Sequence, residues 1–564
     1  MIKSKLSNIA IPSIVVATLL FVPVLFCFYY IGNQTIFNLF ATDSMYYMGI
    51  ANNYLKFGFA TFDGETAING YHPLWELMLI VMFKMFSIQH HYQIYAVFAL
   101  SALLVYMAYI TISYTFVKIV GVWPGIVATL TLFPGVYSIF FEPRRHFFNS
   151  PAMIGSLSPY GAINGMETSL SLALWAFFFL TLISRFRLLG QENGVRHDIK
   201  SLFPFATRIC LAMIVLSRLD DCFLVVAIGI FILSQSGISF YKKINTLIHV
   251  LLPTALVLLT YILFNELTVG SALPVSGVSK LSVDITINLH NLFMVLSGQS
   301  GTLEWWYLAS CFYTIIFLML AGIICTIVGR RYKNITLGLS ENYFMMSLLN
   351  IFGLFLTLKA LFLFTFVPVV NQGYWYYFTM VFVCNVIVAI AIGSYVKNNK
   401  NIFNILFFCL AIILFRMPND IYFIQSSNDH NSGFGSDFDF LYPYGPNYPT
   451  ISHALWSNSD EIRKFLIERG QNAKLIDNLD GMYVYLLDMP GESITGLASS
   501  SKELERRKKI GLMKSLVSRG FSIVPGFGYK NPKIFPQIIK VVDVLHPPSS
   551  PIFFYRVELT TGIQ

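Results

Sequence analysis

Charge is scarce in this sequence. Only 12% of its 564 residues are Asp, Glu, Lys or Arg, whereas 55% are hydrophobic and 16% are aromatic. A soluble globular domain usually carries about twice that share of charge. The composition therefore excludes an ordinary soluble protein. Apolar runs of about 20 residues recur over the first three quarters and predict a polytopic α-helical membrane protein.

Motifs for soluble nucleotide chemistry and for common metal sites are absent too. There is no Gly-rich phosphate loop, no HExxH and no CxxC. All seven cysteines lie in apolar segments, where a thiol packs as a small hydrophobic group. The acidic string DFDF at 437–440 lies in a Gly-, Ser- and Pro-rich stretch, and a solvated linker explains it better than a nucleotide-sugar metal site. We expect no cofactor, and a divalent metal is not favoured.

The positive charge that is present is distributed as in a membrane protein. The net charge is +9, but most Lys and Arg before residue 416 lie in short clusters between apolar runs. Such clusters mark cytoplasmic loops, so a nucleic-acid partner is not predicted. With the amino terminus in the cytoplasm and the first apolar run as a retained anchor, about 11 transmembrane helices place these clusters inside. We predict these spans near 10–31, 93–117, 122–141, 167–184, 204–217, 222–238, 245–264, 305–328, 343–367, 374–395 and 401–416.

The segments between these spans predict two domains. A transmembrane domain covers 1–416, with a first external loop at 32–92, and a soluble extracytoplasmic α/β domain covers 417–564. The run 74–88 is short and charged, so we expect an interfacial amphipathic helix there. Segments 204–217 and 222–238 form either a hairpin or two half-helices ending inside the protein. In the C-terminal part, 474–488 alternates like a strand with a turn at Asp480 and Gly481. The stretch 500–520 predicts an amphipathic helix capped by Ser500 and Glu503 and stopped by Gly520.

A lone carboxylate, Asp43, follows the first span by about twelve residues. It starts a segment that reads as a short helix whose apolar residues would rest on the membrane face; these are Met45, Tyr46, Met48, Ile50 and Ala51. A general base that acts on a lipid-carried substrate needs a carboxylate at the boundary between water and lipid. A solvated acid at a helix start, favoured by the helix dipole, explains the same residue.

Several stretches in a fixed order resemble polyprenyl-phosphate-dependent membrane glycosyltransferases of the GT-C superfamily. The likeness is closest to the group that contains the terminal arabinofuranosyltransferases. It runs along most of the chain, although each motif is weak alone. The matching strings are TDSMYYMGIANNYLKFGFATFDGETAINGYHPLW at 42–75, NGMETSL at 164–170, LSRLDD at 216–221, GSALPVSGVSK at 270–280, GYWYY at 373–377, DNLDGMYVYLLD at 477–488 and ITGLASS at 494–500.

The resemblance implies a GT-C-like fold and a reaction on the outer face of the cytoplasmic membrane. A polyprenyl-phosphate sugar donor enters from the bilayer, and a hydroxyl of an envelope glycan or glycolipid acceptor attacks C1 with inversion. Asp43 matches the family's general base. The family usually has Asp-Asp-Ala where this chain has Thr42, Asp43 and Ser44, so two adjacent carboxylates are not available for a metal. The hydroxyls of Thr42 and Ser44 are candidates to hold the sugar or to orient Asp43.

Three cations, Lys280, Arg144 and Arg145, are candidates to contact the departing phosphate, and a fourth, Lys359, is a functional candidate for a different reason. Lys280 lies in a stretch that resembles the family; the alternative is an interfacial lysine that snorkels to water. Arg144 and Arg145 follow the third predicted span on the external side; the alternative is that they pair with local acids. Lys359 lies inside an apolar helix, where an ionisable group is a functional candidate, although outward snorkelling explains it equally well.

Each of the other candidates also has an ordinary structural explanation. Glu167 suits a helix start because of the helix dipole; alternatively, it is a second active-site carboxylate. Arg218 either forms a compact ion-paired turn with Asp220 and Asp221 or shapes a donor pocket. His72 either binds a sugar hydroxyl or caps a helix. Tyr71 and Trp375 either stack on sugar or belong to an interfacial aromatic belt.

Two other functions remain open. A transporter or flippase for polyprenol-linked glycans would have ionisable residues lining a path between both faces. Here the candidates gather on the external side, which favours a transferase, of hexosyl or pentosyl type, in the cytoplasmic (inner) membrane. A lipid-linked glycan polymerase differs from that transferase in using an oligosaccharide donor.

Overall fold

The structure is a computed structural model, and it describes most of the chain. The described residues are 2–31, 36–37, 40–132, 162–191, 203–235, 238–281, 285–297, 315–329, 340–368, 376–398, 448–469, 474–477, 481–493, 499–525, 539–550, 552 and 554–559. The predicted span at 401–416 and the DFDF string lie outside them.

Helices dominate the described part of the first 400 residues. Among these described helices, three contain a stretch long and apolar enough to cross a membrane: α4, α9 and α13. The predicted number of spans stays a prediction. The helices are α1 (Ile2–Ile31), α2 (Thr42–Phe57), α3 (Pro73–Met85), α4 (His90–Val120), α5 (Val122–Leu132), α6 (Thr168–Gln191), α7 (Phe205–Ser217), α8 (Cys222–Leu233), α9 (Phe240–Val269), α10 (Val275–Lys280), α11 (Ile285–Leu296), α12 (Ile315–Gly329), α13 (Ser340–Phe366) and α14 (Phe378–Asn398).

Close helix contacts through small residues build this bundle. Helix α4 packs against α1, α5 and α6, and α13 packs against α8. A Cβ added to Gly125 of α5 would lie 2.5 Å from the Val117 backbone of α4, and one added to Gly353 of α13 would lie 2.6 Å from the Gly322 carbonyl oxygen of α12. Apolar helices associate through such small residues because their backbones can then approach closely.

Helix α2, which begins with Thr42 and Asp43, is packed inside the protein. Its apolar face belongs to a core shared with α3 and with residues of the C-terminal region. The expectation that this face rests on the membrane is wrong, because the protein itself covers it; Met45, Tyr46, Met48, Ile50 and Ala51 are each at most 5% exposed. Helix α3 has 13 residues, or about 20 Å, too short to span a bilayer.

The C-terminal region, residues 448–559, forms a mixed sheet with helices. The strands are β1 (Lys474–Asp477), β2 (Gly491–Ser493), β3 (Phe521–Pro525), β4 (Ile539–Leu545) and β5 (Phe554–Leu559), and the helices are α15 (Tyr448–Ser457), α16 (Ser459–Arg469), α17 (Met482–Leu486), α18 (Ser501–Ile510) and α19 (Leu512–Ser518). The strand order is β2-β1-β3-β5-β4. Strand β1 is parallel to β2 and β3, whereas β5 is antiparallel to β3 and β4.

Two expectations for this region are corrected. The alternating stretch 482–488 is not a strand: 482–486 form helix α17, because all five of its residues are buried between the sheet and α2. The predicted helix at 500–520 is two helices, because Gly511, at φ +86°, interrupts it. Its start is confirmed, since the Ser500 hydroxyl accepts a hydrogen bond from the Glu503 amide at 3.2 Å.

A set of charged side chains joins the loop between α2 and α3 to this C-terminal region. We call it the outer cluster: Asp63, Glu65, Lys474, Glu492, Glu503, Arg507 and Arg519. The Arg519 guanidinium donates to Asp63 at 2.5 Å and to Glu503 at 3.0 Å, and Lys474 pairs with Glu65. Burial raises the pKa of Asp63, but the Thr66 and Glu65 amides and Arg519 outweigh it, so the pKa lies below its usual value. The loop is thereby held against the sheet.

Candidate functional site

A cavity of about 300 Å³ lies where α2 and the loop between α2 and α3 meet the turns between the apolar helices. Its walls come from seven stretches: α2, the loop before α3, Met166 before α6, the turn between α7 and α8, the segment around α10, the end of α13 and the residues just before α14. The polar and aromatic residues that line it include Asp43, Tyr46, Tyr47, Tyr71, His72, Arg218, Asp220, Lys280 and Tyr376. Such a mixed, concave wall is typical of a small-molecule site.

Asp43 contributes the carboxylate of one wall. It lies in the first turn of α2 and is partly exposed. Its neighbour Ser44 is buried, its hydroxyl donates to the Ala41 carbonyl at 2.6 Å, and it is not among the lining residues. The Thr42 side chain lies outside what the structure describes. Of the two hydroxyls predicted beside Asp43, the described one serves the helix start.

Lys280 contributes a cation to another wall. It ends α10, and its ammonium lies 5.4 Å from the centroid of the Tyr376 ring. Asn69 fixes the approach to α10: its side-chain amide donates to the Ser271 and Leu273 carbonyls at 2.9 and 3.2 Å and accepts from the Val275 amide at 3.0 Å. Lys280 is therefore carried by a segment tied to the loop that holds Tyr71 and His72.

Behind the cavity lies a buried network that we call the inner cluster: Glu167, Arg218, Asp220, Asp221 and Lys359. The Arg218 guanidinium donates to Glu167 at 2.9 Å and to both oxygens of Asp220 at 3.2 Å. The Lys359 ammonium lies 2.7 Å from Asp220 and 2.6 Å from Asp221. The predicted ion-paired turn is thus part of a larger assembly that joins three segments of the chain.

Lys359 does not extend outward. Its side chain is fully buried, and it also donates to the Thr379 hydroxyl at 2.9 Å. Asp221 in turn accepts from Thr379 at 2.9 Å and from the Trp175 indole at 3.0 Å. Lys359 therefore reaches the cavity through Asp220, and Glu167 reaches it through Arg218 and His72; all three of these residues line it.

His72 and Tyr71 face the cavity in neutral form. Burial lowers the pKa of His72, and the opposing attraction of Glu167, whose carboxylate lies 3.5 Å from Nε2, does not reverse the shift. Burial also raises the pKa of Tyr71, and nearby Glu76 adds to that rise. A neutral imidazole and a neutral phenol can each donate and accept hydrogen bonds, so both can bind a hydroxyl group.

The structure brings together part of the predicted set. Asp43, Tyr71, His72, Arg218 and Lys280 line one cavity, whereas Glu167 and Lys359 support it from behind. Arg144, Arg145 and Trp375 lie outside the described residues. Sequence reasoning missed Asn69, Trp175 and Thr379. Only Asn69 carried a signal, through its place beside the Gly-Tyr-His-Pro string.

Among the described residues, no group of three or more His, Cys, Asp or Glu is arranged to hold a metal ion. The expectation of a metal-independent reaction stays a prediction.

Neither a family model nor a curated protein sequence matches this chain. Among solved structures, the crystal structure of ArnT from Cupriavidus metallidurans in the apo state is similar over 91% of this chain and 93% of that chain, with 12% sequence identity and a TM-score of 0.38. The residues of the cavity therefore carry the functional conclusion.

Proposed function

We propose that this chain is an integral-membrane glycosyltransferase of the GT-C type. It transfers a sugar from a polyprenyl-phosphate donor to a hydroxyl of an envelope glycan or glycolipid on the outer face of the cytoplasmic membrane. The observation that carries the proposal is the cavity in which Asp43 and Lys280, 237 positions apart in sequence, line the same space together with neutral hydrogen-bonding groups. The order of the resembling motifs along the chain adds support.

The chemistry is one displacement at C1 of the sugar. The acceptor oxygen forms a bond to C1 as the bond from C1 to the phosphate oxygen breaks, so the configuration inverts. Asp43 takes the proton of the attacking hydroxyl. The electron pair of the breaking bond stays on the polyprenyl phosphate, whose charge Lys280 stabilises in a partly dry site. Atoms and charges balance without a further reactant.

Arg218 and the two acids beside it serve a different role. The guanidinium is 1% exposed and already bound by Glu167 and Asp220, so it is not an open phosphate ligand. Held in this way, Asp220 presents an ionised carboxylate to the cavity, where it can accept hydrogen bonds from sugar hydroxyls. We assign the phosphate end of the donor to Lys280 because it places a cation in the cavity wall at the end of α10.

The decisive variant is Asp43→Asn. We expect turnover of a synthetic short-chain polyprenyl-phosphate sugar to fall by about 10²–10⁴-fold, because the general base is lost while shape is kept. Donor binding should be unchanged. The assay is run in EDTA with purified protein in nanodiscs. The control is Asp460→Asn, whose side chain is 91% exposed in the C-terminal region.

Turnover of Asp43→Asn equal to that of the control would remove Asp43 from the mechanism and overturn the proposed reaction. A flippase would instead move a labelled donor across a proteoliposome membrane without releasing polyprenyl phosphate. Activity that is lost in EDTA and restored by Mg²⁺ or Mn²⁺ would show that a metal takes part.

A further inference from the structure

The C-terminal region contacts α2, the helix that bears Asp43, at two places. The first is Gly481, which precedes α17. A Cβ added to Gly481 would lie 2.7 Å from both Cα and N of Tyr46, closer than real Cβ atoms approach a backbone. Its φ of +107° is also a conformation that favours glycine. Gly481 therefore sets how near α17 comes to α2.

The second place is Asp488, near the other end of α2. One oxygen of its carboxylate accepts from Lys56 at 2.5 Å and from Asn52 at 3.2 Å, and the other accepts from Arg463 at 3.1 Å. Its φ of +47° lies in the left-handed region, where Asp and Asn are the most tolerated residues after glycine. Asp488 thus links α16 to two side chains of α2.

Between these two places α17 packs along α2. All five of its residues are buried, and Tyr485 comes within 4.0 Å of the position that a Cβ on Gly49 would take. The contact is therefore continuous along the helix.

Movement of α2 at Tyr46 would move the reacting group. Asp43 and Tyr46 are three residues apart, so they lie on one face of the helix, and both line the cavity. Neither Gly481 nor Asp488 lines that cavity. An effect of these two residues on the reaction is therefore indirect, and α2, which both of them contact, links them to the cavity.

We propose that Gly481 and Asp488 are positioning residues for the transfer reaction, which fix α2 and thereby place the Asp43 carboxylate. This inference rests on the proposed function. It gives the C-terminal region a part in turnover that does not depend on contact with the donor or the acceptor.

The test compares Gly481→Ala with Gly511→Ala. Both glycines have positive φ, so both alanines carry a similar backbone strain, but a Cβ on Gly511 meets no atom within 4 Å. We expect Gly481→Ala to lower kcat at least tenfold while KM for the donor changes less than twofold, because the donor's ligands are untouched. Gly511→Ala should keep kcat within twofold of the wild type. Equal kcat values in the two variants would overturn the assignment of Gly481.

A second pair covers the case in which Gly481→Ala does not fold. Asp488→Asn keeps the backbone conformation and the shape but weakens the contacts to Lys56 and Arg463. Asp460→Asn removes the other partner of the same Arg463. We expect a three- to tenfold fall in kcat with unchanged KM only in Asp488→Asn, measured per mole of folded protein. Equal kcat in this pair would overturn the assignment of Asp488.

The two proposals fail differently. Full turnover in Asp43→Asn would overturn the proposed reaction. Full turnover in Gly481→Ala and Asp488→Asn, with Asp43→Asn inactive, would overturn only the positioning role.

Discussion

The inner and outer clusters hold similar charges in different surroundings. The inner cluster has three acids and two cations, and the outer cluster has four acids and three cations, so each has one acid in excess. In the inner cluster no side chain is more than 15% exposed, whereas Glu65 of the outer cluster is 48% exposed and Lys474 is 24% exposed. Water can therefore replace a lost partner of Glu65 or Lys474, but not a lost partner in the inner cluster.

This difference decides what each cluster does. Buried charges are costly unless they are paired, so the inner cluster must stay complete, and it fixes three chain segments behind the cavity. Partly hydrated pairs such as Lys474 with Glu65 contribute little each. The buried part of the outer cluster, where Arg519 meets Asp63, Glu492 and Glu503, holds the loop at 61–66 more firmly. The three predictions below test this contrast.

The largest effect is expected for Lys359→Met. It leaves Asp220 and Asp221 without their shared ammonium in a buried place, which should lower the free energy of unfolding by about 3–5 kcal/mol. Thermal unfolding in detergent measures it. Lys118→Met is the control, because Lys118 lies in the last turn of α4 and is partly exposed, whereas Lys359 is fully buried. Adding Asp221→Asn to Lys359→Met should recover part of the loss. A melting temperature like that of the control would contradict the account of the inner cluster.

An intermediate effect is expected for Arg519→Gln. This guanidinium is 11% exposed and contacts Asp63, Glu65, Glu492 and Glu503. Its loss should lower stability by about 1–3 kcal/mol, as for hydrogen bonds to charged groups. Lys474→Gln breaks the more exposed pair with Glu65 and should change stability by about 0–1 kcal/mol. If the two variants melt alike, burial does not rank the contacts of the outer cluster.

The smallest effect is expected from pH at Glu492. Burial raises the pKa of Glu492 to about 7, against the attraction of Arg507. Because this pKa lies above the ordinary 4.5, the stabilising effect of the bound proton is complete below pH 4.5 and is lost as the pH rises through 7.

The measurement compares wild type with Glu492→Gln at pH 5 and pH 8. Raising the pH should destabilise the wild type more than the variant, by on the order of 1 kcal/mol. A parallel pH response in both proteins would mean that Glu492 ionises normally.

Apolar periodicity predicted the helices of the bundle well because length and hydropathy alone decide whether a segment can cross a membrane. It did not predict α17, since the alternation of 482–488 resembles a half-buried strand when burial on all sides is unknown. Gly511 was overlooked as a helix break for a related reason: an isolated glycine in an amphipathic pattern is often tolerated.

Part of the candidate site around the cavity was predicted from the sequence. Asp43, His72 and Lys280 stood out as polar residues in resembling motifs, and the structure places them around one cavity. The pairing of Lys359 with Asp220 and Asp221 was not predicted, because 138 residues separate Lys359 from Asp221 and no local pattern links them. Trp175 and Thr379 lie in apolar runs whose composition hides their hydrogen bonds to Asp221.

Asn69 has a mechanical consequence. Its three hydrogen bonds join the chain that carries Tyr71 and His72 to the chain that leads into Lys280. The loop before α3 and the segment leading into α10 are therefore coupled by Asn69, and we expect these two walls to move together. A change in the width of the cavity would then have to come from its other walls, among them Phe223 and Phe362, whose ring centroids lie 5.0 Å apart.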